Sequence, residues 1–354
     1  MTSKQAFLNE LNRLMAGMPE DERSRLMEYF TEMIDDRMEM GMPEEAAVSA
    51  LGEPEALLRD AAPLQLPAVQ AAEGSADYRD AIREIHIHIK NADAVIKRAP
   101  LPDGMTAQIN ASQPRLFKWG LTGGVLSIKE SGELKRGLFT RSAKLTLIMP
   151  ELEPDALIVD SYGGDIEVDG LRVEARAVLA SSSGNIELRR LGCAGRLEVT
   201  TRSGDVSISE IEASADCKLE TLSGDIELNS VNANRLRLRT ASGDIECSLL
   251  RAGTLAAGTT SGDIDVDDAA AQTSLMLEST SGDIDMMRAS APDIRLSTTS
   301  GDICARALRR PEGYDIDVAT RSGDTRVSNS FPMGPNPAKL SVRSVSGDID
   351  AQVI

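Results

Sequence analysis

The side chains of this chain that could bind a metal ion or act as nucleophiles recur at a nearly fixed interval. Ten glycines are each followed by Asp or Asn, and the steps between them are 20, 20, 20, 19, 19, 20, 19, 22 and 24 residues. A carboxylate repeated at one position could bridge Ca²⁺, which takes about six to eight oxygen ligands. The glycines are Gly164, Gly184, Gly204, Gly224, Gly243, Gly262, Gly282, Gly301, Gly323 and Gly347.

The repeats carry two columns of acidic residues, because a second Asp or Glu often stands two positions after the residue that follows the Gly. Such columns could bind a cation. If the repeats stack, equivalent carboxylates lie roughly 5 Å apart. A calcium site, the one cofactor site that the sequence offers, is therefore considered at Asp263, Asp265, Asp283 and Asp285. The competing interpretation is a solvated turn residue that bonds local backbone N–H groups. Asn185 favours this second interpretation, because it shows that the position needs no charge.

A hydroxyl stands three residues before every one of these glycines. A nucleophilic Ser needs a base beside it, and no His or Lys is placed next to these positions. We therefore predict no catalytic residue, and expect a ladder of hydroxyls bonded from repeat to repeat or to the corner backbone. The column is Ser161, Ser181, Thr201, Thr221, Thr240, Thr259, Ser279, Thr298, Thr320 and Ser344.

The elements that position these groups are β-strands. Apolar residues stand seven and five positions before each Gly and two and four positions after it, which is strand periodicity with one face buried. The Ser-Gly-Asp between them predicts a tight corner at which Gly supplies a positive φ. Because like residues recur at identical offsets, stacked parallel coils are favoured over an antiparallel meander of hairpins. The predicted fold is mainly β: a single-stranded, β-helix-like β-solenoid of ~20 residues per coil, preceded by a small all-α bundle.

Pattern and composition divide the chain into three segments. Residues 1–60 show helical periodicity, residues 61–79 read as a linker, and residues 80–354 form the solenoid. Within the solenoid, residues 80–150 are irregular first coils and residues 151–354 are the regular Ser-Gly-Asp repeats. About 60 residues are marginal for an independent core, so the helical segment is expected to be stabilised by a partner.

Charge and cysteine usage narrow the function classes. The net charge of −18 argues against direct nucleic-acid binding, which needs a basic face. The chain has no apolar run long enough for a membrane span, and its first residues read as an amphipathic helix rather than a signal peptide. Cys217 and Cys247 fall in core columns and read as buried thiols of a reducing compartment. We therefore expect a cytoplasmic protein, with association at the cell surface as the alternative.

Two stretches resemble known families. The helical segment is similar to the helix-turn-helix-associated α-helical signalling (HAAS) domain, which usually accompanies PadR-like transcriptional regulators. The Gly-Asp-Ile repeats and their lead-in strands resemble the bacterial putative-adhesin β-strand-repeat family, and neither resemblance implies an enzyme. The first resemblance rests on Phe7-Leu8, Leu11, Leu14, Pro19, Glu22-Arg23, Tyr29-Phe30, Asp35-Asp36, Gly41, Glu44-Glu45-Ala46 and Leu51-Gly52-Glu53-Pro54, and the second on the repeats with Ile85–Ile89, Asn91–Val95 and Leu145–Pro150.

Two functions follow as hypotheses. The first is a non-enzymatic signalling or scaffold protein, in which the helical domain docks a PadR-like regulator or another partner and the acidic solenoid acts as a sensor or an assembly module. The second is a surface or adhesion protein built on the solenoid, self-assembling end to end. Candidate partner contacts are Tyr29, Phe30, Tyr314 and Phe331. The last coil, at Gly347, has no cap after it in the sequence, so a homo-oligomer through this C-terminal coil is also predicted.

Overall fold

The computed structural model of the chain describes most of the solenoid and part of the helical segment. Two compact units are separated: Met1–Leu64 with Asn110–Arg115, and Gln65–Ile109 with Leu116–Ile354. The described residues are 3–16, 23, 27, 30–31, 34–35, 38, 42–49, 51, 54, 64–65, 82–101, 107–131, 143–150, 153–308, 313–329 and 334–353.

The first unit has a small helical core. Helix α1 (Lys4–Leu14) begins at Ser3, whose Oγ accepts a hydrogen bond from the N–H of Ala6 at 3.2 Å, as a favoured N-cap residue does. Helix α2 (Glu44–Ser49) carries two carboxylates in its first turn, where they interact favourably with the helix dipole. The helical character predicted for this end is confirmed. The buried side chains of this core are Phe7, Leu8, Leu11, Met15, Phe30, Ile34, Ala47, Val48 and Leu51.

The rest of the described chain consists mainly of strands and the short turns that join them. A short 3₁₀ helix (Pro114–Leu116) precedes β5, and β1 falls inside the segment predicted as a linker. In chain order the strands are β1 (Leu64–Gln65), β2 (Glu84–Ile89), β3 (Asp93–Arg98), β4 (Gln108–Ala111), β5 (Phe117–Thr122), β6 (Val125–Glu130), β7 (Lys144–Met149), β8 (Ala156–Ser161), β9 (Ile166–Asp169), β10 (Arg172–Val173), β11 (Arg176–Ser181), β12 (Ile186–Arg189), β13 (Gly192–Cys193), β14 (Arg196–Thr200), β15 (Val206–Glu220), β16 (Ile226–Arg239), β17 (Ile245–Gly258), β18 (Ile264–Glu278), β19 (Ile284–Met287), β20 (Asp293–Ser300), β21 (Ile303–Leu308), β22 (Tyr314–Ser322), β23 (Thr325–Asn329), β24 (Ala338–Ser346) and β25 (Ile349–Val353).

Neighbouring coils pair in parallel, with equivalent repeat positions side by side. Ile226 lies beside Ile245, and Leu236 lies beside Leu255. Because strand side chains alternate, the apolar columns point inward and are almost fully buried while the residues between them stay at the surface. The β-solenoid of ~20 residues per coil is therefore confirmed, and the antiparallel meander is excluded for the repeats.

At the C-terminal end, the order of the coils in the stack differs from their order in the chain. Strand β24 pairs with β20 on one side and with β22 on the other. Strand β25 likewise lies between β21 and β23. The last coil in the sequence, at Gly347, is thus inserted between the coil at Gly301 and the coil at Gly323. The prediction that the C-terminal coil forms the open end of the rod is wrong, because that coil has a neighbour on both faces.

Side-chain burial explains this insertion. Ile349, Ala351 and Val353 of the inserted coil are each no more than 1% exposed. In the coil at Gly323, Thr325 occupies the column that holds Ile or Val in the other repeats, and all of β23 is exposed. A coil whose core columns are apolar gains more hydrophobic stabilisation from having a neighbour on each side than a coil with a polar residue in a core column does. The long steps of 22 and 24 residues supply the chain length for the crossing.

The N-terminal end has a similar exchange and, in addition, a cover. Strand β2 pairs with β8 and with β6, and β3 pairs with β9 and with β7. The coil formed by β6 and β7 is therefore farther out than the coil that precedes it in sequence. Strand β5 runs antiparallel along β6 and sets Trp119 beside Ile128. Phe117 and Trp119 thus lie on a strand that closes an outer edge of the solenoid.

Candidate functional site

The carboxylates that follow the glycines form hydrogen bonds between coils. The N–H of Asp263 donates to Asp244 Oδ1 at 2.8 Å, and the N–H of Asp283 donates to Asp263 Oδ1 at 2.7 Å. Asn185 takes the same part, because its Oδ1 accepts from the N–H of Asp205 at 2.9 Å. The predicted bond to a local N–H is therefore corrected: the donor belongs to the next coil of the stack.

The hydroxyl column holds the same corner from the inside. Thr221 Oγ1 donates to the carbonyl oxygen of Gly204 at 3.1 Å and accepts from the N–H of Gly224 at 3.1 Å. The side chain is buried, so both backbone groups would lose their partner without it. The predicted hydroxyl ladder is confirmed, and it runs both between coils and to the corner backbone. A hydroxyl engaged in this way is a structural group rather than a nucleophile.

The corner glycines are required for a different reason from the one predicted. Positive φ occurs at Gly301, Gly323 and Gly347, at 150° to 156°, and at none of the seven corner glycines before them. At every corner, however, an added Cβ would overlap a backbone carbonyl of the neighbouring coil. At Gly224 it would lie 2.0 Å from the oxygen of Gly204. Close coil-to-coil approach, and not backbone handedness, therefore fixes Gly at these turns.

A second corner escaped prediction. Six residues after the corner Gly, seven coils carry a non-glycine residue in the left-handed region, with φ between 51° and 57°. Their types vary so widely that no column signal exists, and the one pointer is Gly170, with φ 74°, at the equivalent position of the first regular coil. Such backbone costs about 1 kcal/mol or more for an L-residue, so stacking must outweigh it. The residues are Arg190, Glu210, Ser230, Leu249, Asp268, Arg288 and Ala307.

One outer face of the solenoid concentrates negative charge. Glu227, Glu246, Asp265 and Asp285 lie side by side on successive parallel strands. They line a groove of about 410 Å³. Burial, and then the charges of Asp285 and Glu246, raise the pKa of the Asp265 carboxyl. We call these four residues the acidic row, which attracts cations and basic segments without enclosing them.

The calcium site is not assembled. Asp263 and Asp283 belong to the corner ladder, where their Oδ1 atoms accept N–H groups, whereas Asp265 and Asp285 belong to the acidic row. Among the residues that the structure describes, no group of three or more His, Cys, Asp or Glu side chains is arranged to hold a metal ion. The four carboxylates that the sequence groups together therefore belong to two adjacent columns, and those of the corner column already accept backbone N–H groups.

The predicted partner contacts are corrected where the structure describes them. Phe30 is 2% exposed in the helical core, and Tyr314 is 1% exposed at the start of β22. The hydroxyl of Tyr314 accepts from the N–H of Ala291 at 3.4 Å. Both side chains are held inward by burial of their rings, so neither presents a surface to a partner. Tyr29 and Phe331 lie outside the described residues.

Burial determines the chemistry of most of the cysteine thiols. Cys193, Cys217 and Cys247 are buried and free, and Cys304 is half-buried. Burial raises the pKa of Cys217 to about 12, so that thiol is unreactive at neutral pH. No helix within the described part of the chain is long and apolar enough to cross a membrane.

Two family models match different parts of the chain. A model of the family described as Toastrack DUF4097 matches residues 82–267 and 230–353. A HAAS model matches residues 6–60. No curated protein matches the sequence.

Three solved structures resemble the chain in fold. A putative adhesin from Bacteroides fragilis NCTC 9343 is 16% identical, with a TM-score of 0.39 over 77% of this chain and 94% of that one. A putative lipid binding protein from Parabacteroides distasonis ATCC 8503 is 17% identical, with a TM-score of 0.39 over 78% and 93%. A putative cell adhesion protein from Clostridium sporogenes ATCC 15579 is 9% identical, with a TM-score of 0.21 over 78% and 95%. Likenesses of this size assign no function.

Proposed function

The chain belongs to the Toastrack DUF4097 family, and we propose that it is a non-enzymatic scaffold whose HAAS segment docks a protein partner while the solenoid serves as an assembly module. The observation that carries this proposal is the use of the polar columns. Thr221 bonds two backbone groups of the corner, its equivalents bond at least one, and the Asp column bonds the next coil. The hydroxyl and carboxylate groups that could take part in chemistry thus form hydrogen bonds that hold the corners and coils together. We therefore propose that function depends on binding at the surface.

The partner that we propose for the HAAS segment is a PadR-like transcriptional regulator, as the family resemblance implies. The described part of the helical core holds nine buried residues, and in the same segment of the sequence Met38 and Met42 are 37% and 39% exposed. Met side chains are flexible and polarizable, and they are frequent at surfaces that bind other proteins. Exposed Met residues in this segment therefore suit a docking face.

The test is binding between the full chain and a purified PadR-like regulator from the same organism, measured by isothermal titration calorimetry. We expect saturable binding that the double substitution Met38→Glu and Met42→Glu weakens at least tenfold. Met287→Glu is the matched control, because Met287 is 38% exposed on the solenoid. No binding by the unmodified chain, or equal weakening by the control, would reject the proposed docking face.

We place this scaffold in the cytoplasm. Three of the four cysteines are buried and all four are free, which suits a reducing compartment. Cell fractionation with an antibody against the full chain tests the assignment, and we expect the protein with cytoplasmic markers. Recovery on the cell surface would favour the alternative of an adhesion protein.

A further inference from the structure

We infer that the coil at Gly323 is a self-association surface, on which a second copy of this chain docks through β22 and forms a closed two-fold dimer. We call β22 and β23 together the end coil. In the described part of the chain, β22 pairs only with β24, and β23 pairs only with β25. Along residues 315–322 of β22 and 325–328 of β23, no other described strand lies on the outer edge, and such an edge is a template for another strand.

The corner of the end coil is also bonded to another coil on one side only, among the described residues. The N–H of Asp324 donates to Asp348 Oδ1 at 2.8 Å, as in every other coil. The carboxylate of Asp324 accepts no hydrogen bond from the described residues, so the ladder of corner bonds stops there. Val327 on the neighbouring strand is 46% exposed, whereas its counterpart Ala351 is fully buried. The end coil is thus a regular coil that lacks its next neighbour.

The N-terminal end of the rod cannot be that neighbour. Strand β5 already lies along the outer edge of β6, and Leu126 and Ile128 beneath it are fully buried. A head-to-tail filament would have to displace that strand. The end coil, in contrast, has no further coil against it within the described part of the chain, and identical surfaces that face each other give a closed pair.

The charges on β22 complement themselves in one register. Antiparallel pairing about a two-fold axis at Val318 sets Asp315 opposite Arg321 of the second copy, and the symmetry makes this pair twice. Both side chains are exposed on the outer face of the strand, and neither has an ion-pair partner among the described residues. Asp317, between them, is already held by Arg343.

The net charge of the end coil also permits the approach. The chain carries −18 overall, which opposes self-association. Residues 314–329 contain three acidic and two basic side chains, so their net charge is −1. The same register places Ile316 opposite Thr320, so that half-buried side chains meet on the inner face. Two copies therefore meet at the part of the solenoid where repulsion is small and opposite charges can pair.

Analytical ultracentrifugation of the full chain across the micromolar range tests this inference. We expect a concentration-dependent dimer and no larger species. Arg321→Asp, which sets two carboxylates opposite each other, should weaken the dimer at least tenfold, and the double swap Asp315→Arg with Arg321→Asp should restore it. Arg202→Asp, an exposed change of equal charge in the middle of the rod, is the control.

Three results would overturn the inference: a monomer at every concentration, a series of species larger than a dimer, or a dimer that Arg321→Asp leaves as tight as Arg202→Asp does. Failure of the double swap to restore the dimer would reject the register. Circular dichroism establishes that each variant is folded, and Arg321→Gln, which removes the charge alone, should give an intermediate weakening. None of these outcomes depends on the HAAS segment or its partner.

Discussion

The coil at Gly224 and the coil at Gly323 carry the same Ser-Gly-Asp corner, yet their surroundings differ. The interior corner bonds a coil on each side, through the hydroxyl of Thr221 and the carboxylate of Asp225. The end corner bonds one coil, and its carboxylate accepts nothing from the described residues. The difference teaches that the motif is not stable by itself: its free energy comes from the neighbouring coil, as in other stacked repeats.

The largest expected effect comes from adding one methyl group at the interior corner. Gly224→Ala places a Cβ 2.0 Å from the carbonyl oxygen of Gly204, and backbone cannot move aside as a flexible side chain can. We expect a loss of at least about 3 kcal/mol in the free energy of unfolding, measured by urea denaturation. Gly258→Ala is the control, since its Cβ meets nothing closer than 3.6 Å. Equal denaturation midpoints for the two variants would contradict the close-approach account.

A smaller loss is expected when the interior hydroxyl is removed without a change of shape. Thr221→Val leaves the N–H of Gly224 and the carbonyl of Gly204 without this partner in a buried place. The cost should be about 1 to 3 kcal/mol. Thr260→Val, at an exposed hydroxyl one residue after the column, should change stability little. A cost at Thr260 as large as at Thr221 would show that the loss does not come from the buried bonds.

The carboxylate column gives a direct comparison between interior and end. Asp244→Ala removes the acceptor of the N–H of Asp263 and should cost about 1 kcal/mol. Asp324→Ala removes the same charge from an acceptor that no described donor uses, and its cost should be near zero. Asp244→Asn should be tolerated, because Asn185 already performs this role. Similar losses at Asp244 and Asp324 in thermal denaturation would remove the distinction between the two corners.

The smallest effect concerns the acidic row and depends on pH. Since the folded state raises the pKa of Asp265, the native chain binds the proton more tightly than the unfolded chain does. Stability from this group is therefore present below the unfolded value of 3.8 and is lost as pH rises through the folded pKa. Asp265→Asn should raise the melting temperature at neutral pH and leave it unchanged at acidic pH. If Asp265→Asn is no more stable than the unmodified chain at neutral pH, ionised Asp265 does not destabilise the acidic row.

The sequence predicted what every coil shares. The columns of Leu, Ile, Thr and Asp recur because each interior coil has the same neighbours, so periodicity translates directly into parallel register and buried columns. The four proposed calcium ligands failed for a related reason. Corner residues such as Asp263 and row residues such as Asp265 are two positions apart in the sequence, but each corner residue already uses its Oδ1 atom to accept an N–H group of the next coil.

The order of the end coils could not be predicted from the same columns, because equivalent positions recur in every coil and do not show which coils lie next to each other. Weak signals existed: the two long steps before Gly323 and Gly347, and Thr325 in the column of Ile. The steric requirement for Gly at the corners also could not be predicted from one repeat, because the carbonyl that an added Cβ would meet belongs to another coil. Both features depend on contacts between coils rather than on the sequence within one coil.

Hydrogen exchange followed by mass spectrometry tests the central claim most directly, with the Arg321→Asp variant used so that self-association does not protect the end coil. Amides of β24 and β25 should be protected as well as those of β20 and β21, whereas amides of β22 and β23 should exchange much faster. The last repeat would then be protected like an interior coil, and the repeat before it would be the least protected of the regular repeats. Protection that falls steadily toward the C-terminus, with β25 exchanging fastest, would contradict the inserted coil.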